Sequence, residues 1–394
     1  MYQRSYCQLI IDRINEDRKF IQVVVGPRQV GKTTLVKQAL KAIDKPYLFY
    51  SADNVAGSNS AWVSDCWASA RHSLRNSGNK EVVLVIDEIQ KITNWSEVVK
   101  KEWDADSFND LNIKVLLLGS SRVLIGRVLS ESLMGRFEEI KVPHWSYAEM
   151  QDAFGISFEQ YVYFGAYPGA ASLVGDEDRW SQYVADAIVE ASINKDILYN
   201  ANISKPALLR QTFEMASAYS GEILSLTKMQ GSLQDAGNTT TLAGYLGLLD
   251  VAGLVTGLQK YAVDFSRRRA SIPKFQVYNN ALMSIYGQRT FNDAIANPKA
   301  WGRYFESAVG AHLLNDAFTN NYMVYYWREK DREVDFVICK KGKMVAIEVK
   351  SNSESGNRGL QTIREMYKDA KTLVVGLSGI PAEEFLRYSP SNLF

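Results

Sequence analysis

Phe20-Ile-Gln-Val-Val-Val25, followed directly by Gly26-Pro-Arg-Gln-Val-Gly31-Lys32-Thr33-Thr34, decides how this chain is read. The first six residues are an apolar run broken only by Gln22, the pattern of a strand covered on both faces. The next eight match G-x-x-x-x-G-K-[ST] in full, and a helical pattern starts at Lys32, so the motif has a strand before it and a helix after it. Glycine lets the backbone bend tightly and bring its N–H groups against phosphate oxygens. The helix N-terminus adds positive potential at the same place. Gly26, Pro27, Arg28, Gln29, Val30, Gly31, Lys32, Thr33 and Thr34 are therefore expected to bind ATP. Lys32 would reach the β- and γ-phosphates, and the Thr33 hydroxyl would sit on Mg2+.

Working outward, strand-like runs recur at Tyr47–Tyr50, Glu81–Ile86 and Ile113–Leu118, separated by helical stretches, which predicts a parallel α/β sheet. The third strand ends in Asp87-Glu88. Asp87 is expected to hold the magnesium shell through water, and Glu88 to act as general base on the attacking water. Acid pairs also close solvated turns, so this assignment leans on the loop at Gly26. The fourth strand runs into Gly119-Ser120-Ser121-Arg122. A hydroxyl at Ser120 or Ser121 could orient the water or sense the γ-phosphate; the plain alternative is a strand-ending turn residue. Arg136 is a candidate stabiliser of transition-state charge. A surface salt bridge is the competing role, and Arg122 the rival arginine. An arginine acting in trans would require a homo-oligomer.

Bulk properties bound the rest. At 394 residues the chain has room for two or three domains. A formal net charge of +1 predicts no nucleic-acid partner from bulk charge, so any such surface must be local. Three cysteines without a CxxC pair, and three histidines, argue against a zinc site and for a reducing compartment. The polar, charged start lacks a signal-peptide core, and no apolar run approaches the roughly 20 residues that span a bilayer. A cytoplasmic protein with no membrane partner is the expectation.

Residues 145–205 turn helical and aromatic, with a turn-forming stretch at Tyr161–Gly169. Helix-like segments at 206–220 and 224–234 lead to Asn238-Thr-Thr-Thr241, an N-cap cluster for a helix through about Asp250. Strands at Leu254–Val263 and Lys274–Tyr278 flank the basic turn Arg267-Arg-Arg269, completing a winged-helix outline. From residue 301 come a helix to about Phe318, strands at 322–328, 333–339 and 343–350, a helix near 358–370 and a strand at 372–376. This predicts an α/β protein with a core at 1–145, a helical lid at 146–205, a winged-helix-like segment at 206–290 and a second α/β unit at 291–394.

GPRQVGKTT, VIDEIQ, LLLGSSR, LMGRFEEIKVPHWSYAEM, YVYFGAYPG and Ile193-Asn-Lys-Asp196-Ile together resemble the prokaryotic AAA-type ATPases that carry a C-terminal domain of uncharacterised function. The resemblance implies an AAA-like core and a restriction-endonuclease-like C-terminal unit. It also implies roles for Lys32, Thr33, Asp87, Glu88 and a hydroxyl at Ser120 or Ser121.

In that C-terminal unit, Asp335 lies on one strand and Glu348-Val-Lys350 on the next. Alternation puts Glu348 and Lys350 on one face, with Val345, Ile347 and Val349 opposite. This is the PD-(D/E)XK pattern: Asp335 and Glu348 would hold Mg2+, and Lys350 would position or help deprotonate the attacking water. Glu306, on the preceding helix, matches the additional metal-shell acid that such units often carry. Val334 stands where proline usually precedes the aspartate, and acids so spaced also occur on solvated sheet faces. Two functions follow. One is an ATPase that couples its nucleotide state to DNA binding or processing through the nuclease-like unit. The other is a nucleotide-controlled switch or assembly protein whose C-terminal unit is catalytically inactive. An ATP-gated defence nuclease would share the chemistry of the first.

Overall fold

Three strands carry side chains that are buried along their whole length, and that decides the N-terminal architecture. They are β1 (Ile21–Val25), β3 (Val82–Asp87) and β4 (Ile113–Gly119). A strand buried on both faces needs helices above and below it, and here the sheet is parallel. In this computed structural model the strand order is β2-β3-β4-β1-β5, with β2 at Tyr47–Ser51 and β5 at Phe137–Lys141. Every pairing is parallel. The partly exposed strands β2 and β5 take the edges. One sheet face is covered by α1 (Tyr6–Asn15) and α2 (Lys32–Ala42), whose Ile10, Ile14, Leu35 and Val36 pack against Val24, Val83, Val85, Leu116 and Leu118. Helices α3 (Ala61–Asn76) and α4 (Trp95–Phe108) complete the layer arrangement.

The structure describes residues 2–76, 78–119, 132–198, 203–234, 237–264, 266, 268, 271–351 and 358–394. It divides into two compact units, Met1–Val142 and Pro143–Phe394.

The second unit opens with helices Tyr147–Phe154 and Phe158–Phe164, each started by a capping box, Ser146 with Glu149 and Ser157 with Gln160. The expected turn in Tyr161–Gly169 falls at Gly165, with φ 71°. A Cβ there would lie 2.0 Å from Asn279 Oδ1, so both the conformation and the space require glycine. Helices Pro206–Ala218, Leu226–Ser232 and Thr239–Val251 follow, the last capped by Asn238. Then comes an antiparallel pair, β6 (Val255–Leu258) and β7 (Lys274–Val277).

Strand β6 is shorter than the predicted Leu254–Val263. Beyond Leu258 the chain leaves its partner, and Gln259 and Tyr261 bond to the backbone of Tyr326 instead. The basic turn also differs from expectation. Arg267 and Arg269 lie outside the described residues, while Arg268 stacks on Tyr261 and Tyr325, 5.2 and 5.4 Å from the ring centres. That arginine is used in packing rather than offered to a phosphate.

The last part is a 23-residue helix, Pro298–Asn320, and the mixed sheet β11-β10-β9-β8. Its strands are β8 (Met323–Glu329), β9 (Arg332–Lys340), β10 (Lys343–Lys350) and β11 (Lys371–Gly376). Buried Asn280 joins the segments of this unit: its amide donates to the carbonyls of Val162 and Tyr304, and its oxygen accepts from the Ser307 hydroxyl.

Candidate functional site

The loop after β1 has the backbone of an anion cradle. Gln29 and Gly31 both adopt left-handed conformations, φ 63° and 84°, and α2 begins with no side chain capping its first N–H groups. Alternating conformations of this kind turn successive N–H groups toward one point. The two glycines are needed for different reasons. A Cβ on Gly26 would come 2.0 Å from the Val142 carbonyl oxygen, whereas one on Gly31 would meet nothing within 4 Å. Gly31→Ala is thus a purely conformational change, costing about 1–2 kcal/mol and loosening the cradle. The expected result is a lower melting temperature and weaker binding of a fluorescent ATP analogue. Gly31→Asn, which tolerates the left-handed region, should recover part of both; a fully normal Gly31→Ala would contradict this account.

Lys32 is buried, and its ammonium donates to the carbonyls of Gly26 and Pro27 at 3.0 and 2.8 Å. The Thr33 hydroxyl donates to Asp87 Oδ2 at 2.7 Å, and the Glu88 N–H donates to Asp87 Oδ1 at 2.9 Å. Burial, with Glu88 beside it, raises the Asp87 carboxyl above its ordinary range, while the Thr33 hydrogen bond pulls it back down. Glu88 itself is left-handed, φ 54°, and accepts from Gln90 Nε2 at 2.6 Å. A non-glycine residue held there costs of order 1–3 kcal/mol, and such strain clusters at functional sites. Strand β4 lies between β1 and β3, and its last residue, Gly119, pairs with Val25 at the end of β1. Ser120, Ser121 and Arg122 lie outside the described residues.

Thr33 and Asp87 are hard oxygen donors facing each other, a set that fits magnesium held by few protein ligands and by substrate phosphates. The cradle, the helix N-terminus and the buried ammonium likewise fit a triphosphate.

Arg136 is not brought to this place. It immediately precedes β5, and its carbonyl accepts from the Ile21 N–H at the start of β1. The loop follows the other end of β1, on the order of 15 Å away at strand rise. Arg136 instead forms a two-pronged pair with Asp104, at 2.7 and 3.0 Å. Arg136 therefore stands away from the loop of its own chain and takes the salt-bridge role, because parallel pairing puts the start of β5 at the sheet edge opposite the loop.

The second candidate site lies in the C-terminal sheet. Asp335 and Glu348 are neighbours across β9 and β10, and Asp335 Oδ2 accepts from the Val349 N–H at 2.7 Å. Lys350 pairs with Glu348 at 2.5 Å. Glu348 is 7% exposed, so this is no solvated sheet face. Burial and the nearby Asp335 push its carboxyl up to about 7, against the opposing pull of Lys350. Both faces of β10 are buried, because Met344 and Ala346 pack with Leu360 and Ile363; the single inward face predicted for Val345, Ile347 and Val349 is half of the packing.

Sequence reasoning missed Lys274. This residue is 0% exposed, and its ammonium lies 2.6 Å from Glu306, 3.8 Å from Asp335 Oδ1 and 4.0 Å from Glu333. It also donates to the Asp335 carbonyl at 3.2 Å. Burial alone would lower its pKa, but Glu306 and Asp335 override that and hold it above the ordinary lysine value. Burial likewise pushes Glu306 up to about 7, with Asp335 adding to the rise and Lys274 opposing it. Strand alternation in Lys274-Phe-Gln-Val277 reads as a polar face turned to water. Instead that face meets the helix Pro298–Asn320, where Gln276 donates to the Ser307 carbonyl at 2.8 Å. Among the described residues no three His, Cys, Asp or Glu side chains are grouped to hold a metal. Glu306 is spent on a lysine and Asp335 on a backbone amide, so these two do not fit a divalent cation as they stand, whereas Glu348 Oε2 is buried with no hydrogen-bond partner.

The parallel sheet, its strand order and the loop constellation fit a P-loop ATPase-like domain, and residues 18–151 match the family model described as AAA domain. Residues 156–290 and 301–388 match two models each described as a domain of unknown function, DUF8612 and DUF4143. The chain is similar along most of its length to an uncharacterized protein of Haemophilus influenzae, 23% identical over 95% of this chain and 93% of that one. It is also similar to an uncharacterized protein of Methanocaldococcus jannaschii, 22% identical over 89% and 79%. Among solved structures it is similar in fold to the Walker-type ATPase of Pyrococcus abyssi, with TM-score 0.50 and 11% identity over 73% of this chain and 96% of that one. Among the described residues no helix is long and apolar enough to cross a membrane.

Proposed function

We propose that this protein binds ATP with magnesium at Gly26–Thr34, hydrolyses it, and couples the nucleotide state to DNA binding or processing through its C-terminal unit. The observation that carries the first part is the meeting of Lys32, Thr33 and Asp87 at the ends of β1 and β3. Bound magnesium would neutralise charge on the phosphates. Lys32 exchanges loop carbonyls for phosphate oxygens, and the cradle N–H groups fix the chain of phosphates in line. Glu88 takes the proton from the attacking water, its carboxylate aimed by the left-handed turn and steadied by Gln90.

Glu88→Gln keeps the shape and removes the base. Turnover should fall by about 10²–10⁴ with nucleotide binding little changed. Phosphate release and analogue titration, each with and without duplex DNA, check both parts. Undiminished turnover in Glu88→Gln would remove the assigned base. Turnover and DNA binding indifferent to each other would remove the coupling.

The second reading, a nucleotide-controlled switch whose C-terminal unit docks without cutting, is favoured by one observation: the Lys274 ammonium stands among the acids that a nuclease would give to metal. It predicts slow turnover indifferent to DNA, and different protease sensitivity in the ATP and ADP forms.

A further inference from the structure

We infer that Lys274 is the resident cation of the C-terminal acid cluster and that it excludes a divalent metal ion from Glu306 and Asp335. The inference rests on the second reading in that both leave the unit without metal chemistry, but it stands on its own geometry.

Lys274 is a charged side chain with no exposed surface, set on β7, a strand outside the C-terminal sheet. A buried ammonium is costly unless paired and hydrogen-bonded. Here the pairing is complete: Glu306 at 2.6 Å, Asp335 at 3.8 Å, Glu333 at 4.0 Å, and the Asp335 carbonyl at 3.2 Å. The Phe336 ring lies against the same ammonium, 4.9 Å from nitrogen to ring centre. A divalent ion entering between Glu306 and Asp335 would meet the like charge of the fully buried Lys274 ammonium, 2.6 and 3.8 Å from those carboxylates. The lysine has the competitive advantage of being covalently attached, and so is present at very high effective concentration.

The same contacts give Lys274 a second consequence. It ties β7, and with it the helices at 206–251, to the helix Pro298–Asn320 and to β9. A metal ion could make no such tie, because the lysine brings its own strand with it. The arrangement makes these acids an internal fastening between two segments.

The test uses the full chain without nucleotide and Mn2+ as probe, with uptake followed by the electron paramagnetic resonance of the free ion. Wild type and Asp335→Asn should take up Mn2+ identically. Lys274→Met, similar in length but uncharged, should gain one Mn2+ per chain at least tenfold tighter than wild type, and should lose it again when Asp335→Asn is added. Mn2+ uptake by wild type that Asp335→Asn abolishes would overturn the inference, as would a folded Lys274→Met that gains no site. Should Lys274→Met fail to fold, amine acetylation of the wild type decides. Lys274 should label at least tenfold more slowly than exposed lysines, with the rate unchanged by Mn2+; labelling at the exposed rate, or acceleration by Mn2+, would overturn it. Because none of these readouts involves phosphate release or DNA, their failure is separable from failure of either functional reading.

Discussion

Lys32→Ala should abolish ATP turnover, with a loss of about 10²–10³ in rate from removal of a preorganised charge at the transferring phosphoryl group. Binding should weaken by about 10- to 100-fold, as expected for losing a charge-assisted bond worth about 1.5–3 kcal/mol. The reasoning starts from the resting state. The ammonium is already out of bulk water and held by the Gly26 and Pro27 carbonyls, so it needs little further desolvation when phosphate replaces them. The informative control is Arg136→Ala. Its guanidinium is tied to Asp104 beside the start of β1, so the structure gives it no part in the chemistry of its own chain. An exposed pair of that kind is worth about 0–1 kcal/mol. Turnover in Arg136→Ala should therefore match wild type in dilute solution. Phosphate release from the two variants, measured side by side, checks both; an active Lys32→Ala would mean that the triphosphate is not held where the loop is.

Asp106→Ala is expected to be strongly destabilising in the N-terminal unit, costing about 1–3 kcal/mol by leaving the buried Trp67 indole N–H without its acceptor. Asp106 is 0% exposed and lies on α4. It accepts from Trp67 Nε1 at 2.9 Å and Arg71 Nε at 2.7 Å, both on α3. The rest of the Arg71 guanidinium is satisfied by Glu102, through a carboxylate oxygen at 2.6 Å and a carbonyl at 3.0 Å. Removing Asp106 leaves the indole N–H and one edge of the guanidinium buried without their acceptor. The measurement is urea unfolding followed by tryptophan fluorescence. The double variant Arg71→Ala with Asp106→Ala should lose less than the sum of the single losses, since both single changes remove the same Arg71–Asp106 bond. A loss under about 1 kcal/mol in the single variant would show that this network is not what joins α3 to α4.

The N-terminal architecture was legible because its signals are local. An apolar run, a glycine pair at fixed spacing, and an acid pair closing another apolar run each depend on neighbours in the chain. The helix start at Asn238 was of the same kind, a side chain capping its own next turn. The elements from residue 298 onward also fell close to the predicted ranges, because alternation and length distinguish strands from a long helix there.

What failed was whatever depended on an element far away in sequence. Arg136 stood as a candidate stabiliser of transition-state charge, with a surface salt bridge as the competing role. Parallel pairing then placed the start of β5 at the opposite edge from the loop. The basic turn completed a winged-helix outline in the sequence, but its Arg268 met Tyr261 and Tyr325, the latter belonging to another sheet. The strand predicted to reach Val263 ended at Leu258, because the Tyr326 backbone offered partners that β7 did not.

By itself, then, the sequence determined that a strand, a phosphate loop and a helix stand in that order with an acid pair to meet them, since each of these is written within a few consecutive residues. Tertiary structure alone decided which charges face one another. Lys274 and Glu306 are 32 positions apart in the chain and 2.6 Å apart in space. Chain alternation shows only that a residue points to one side, and what fills that side is settled when the strands and helices pack.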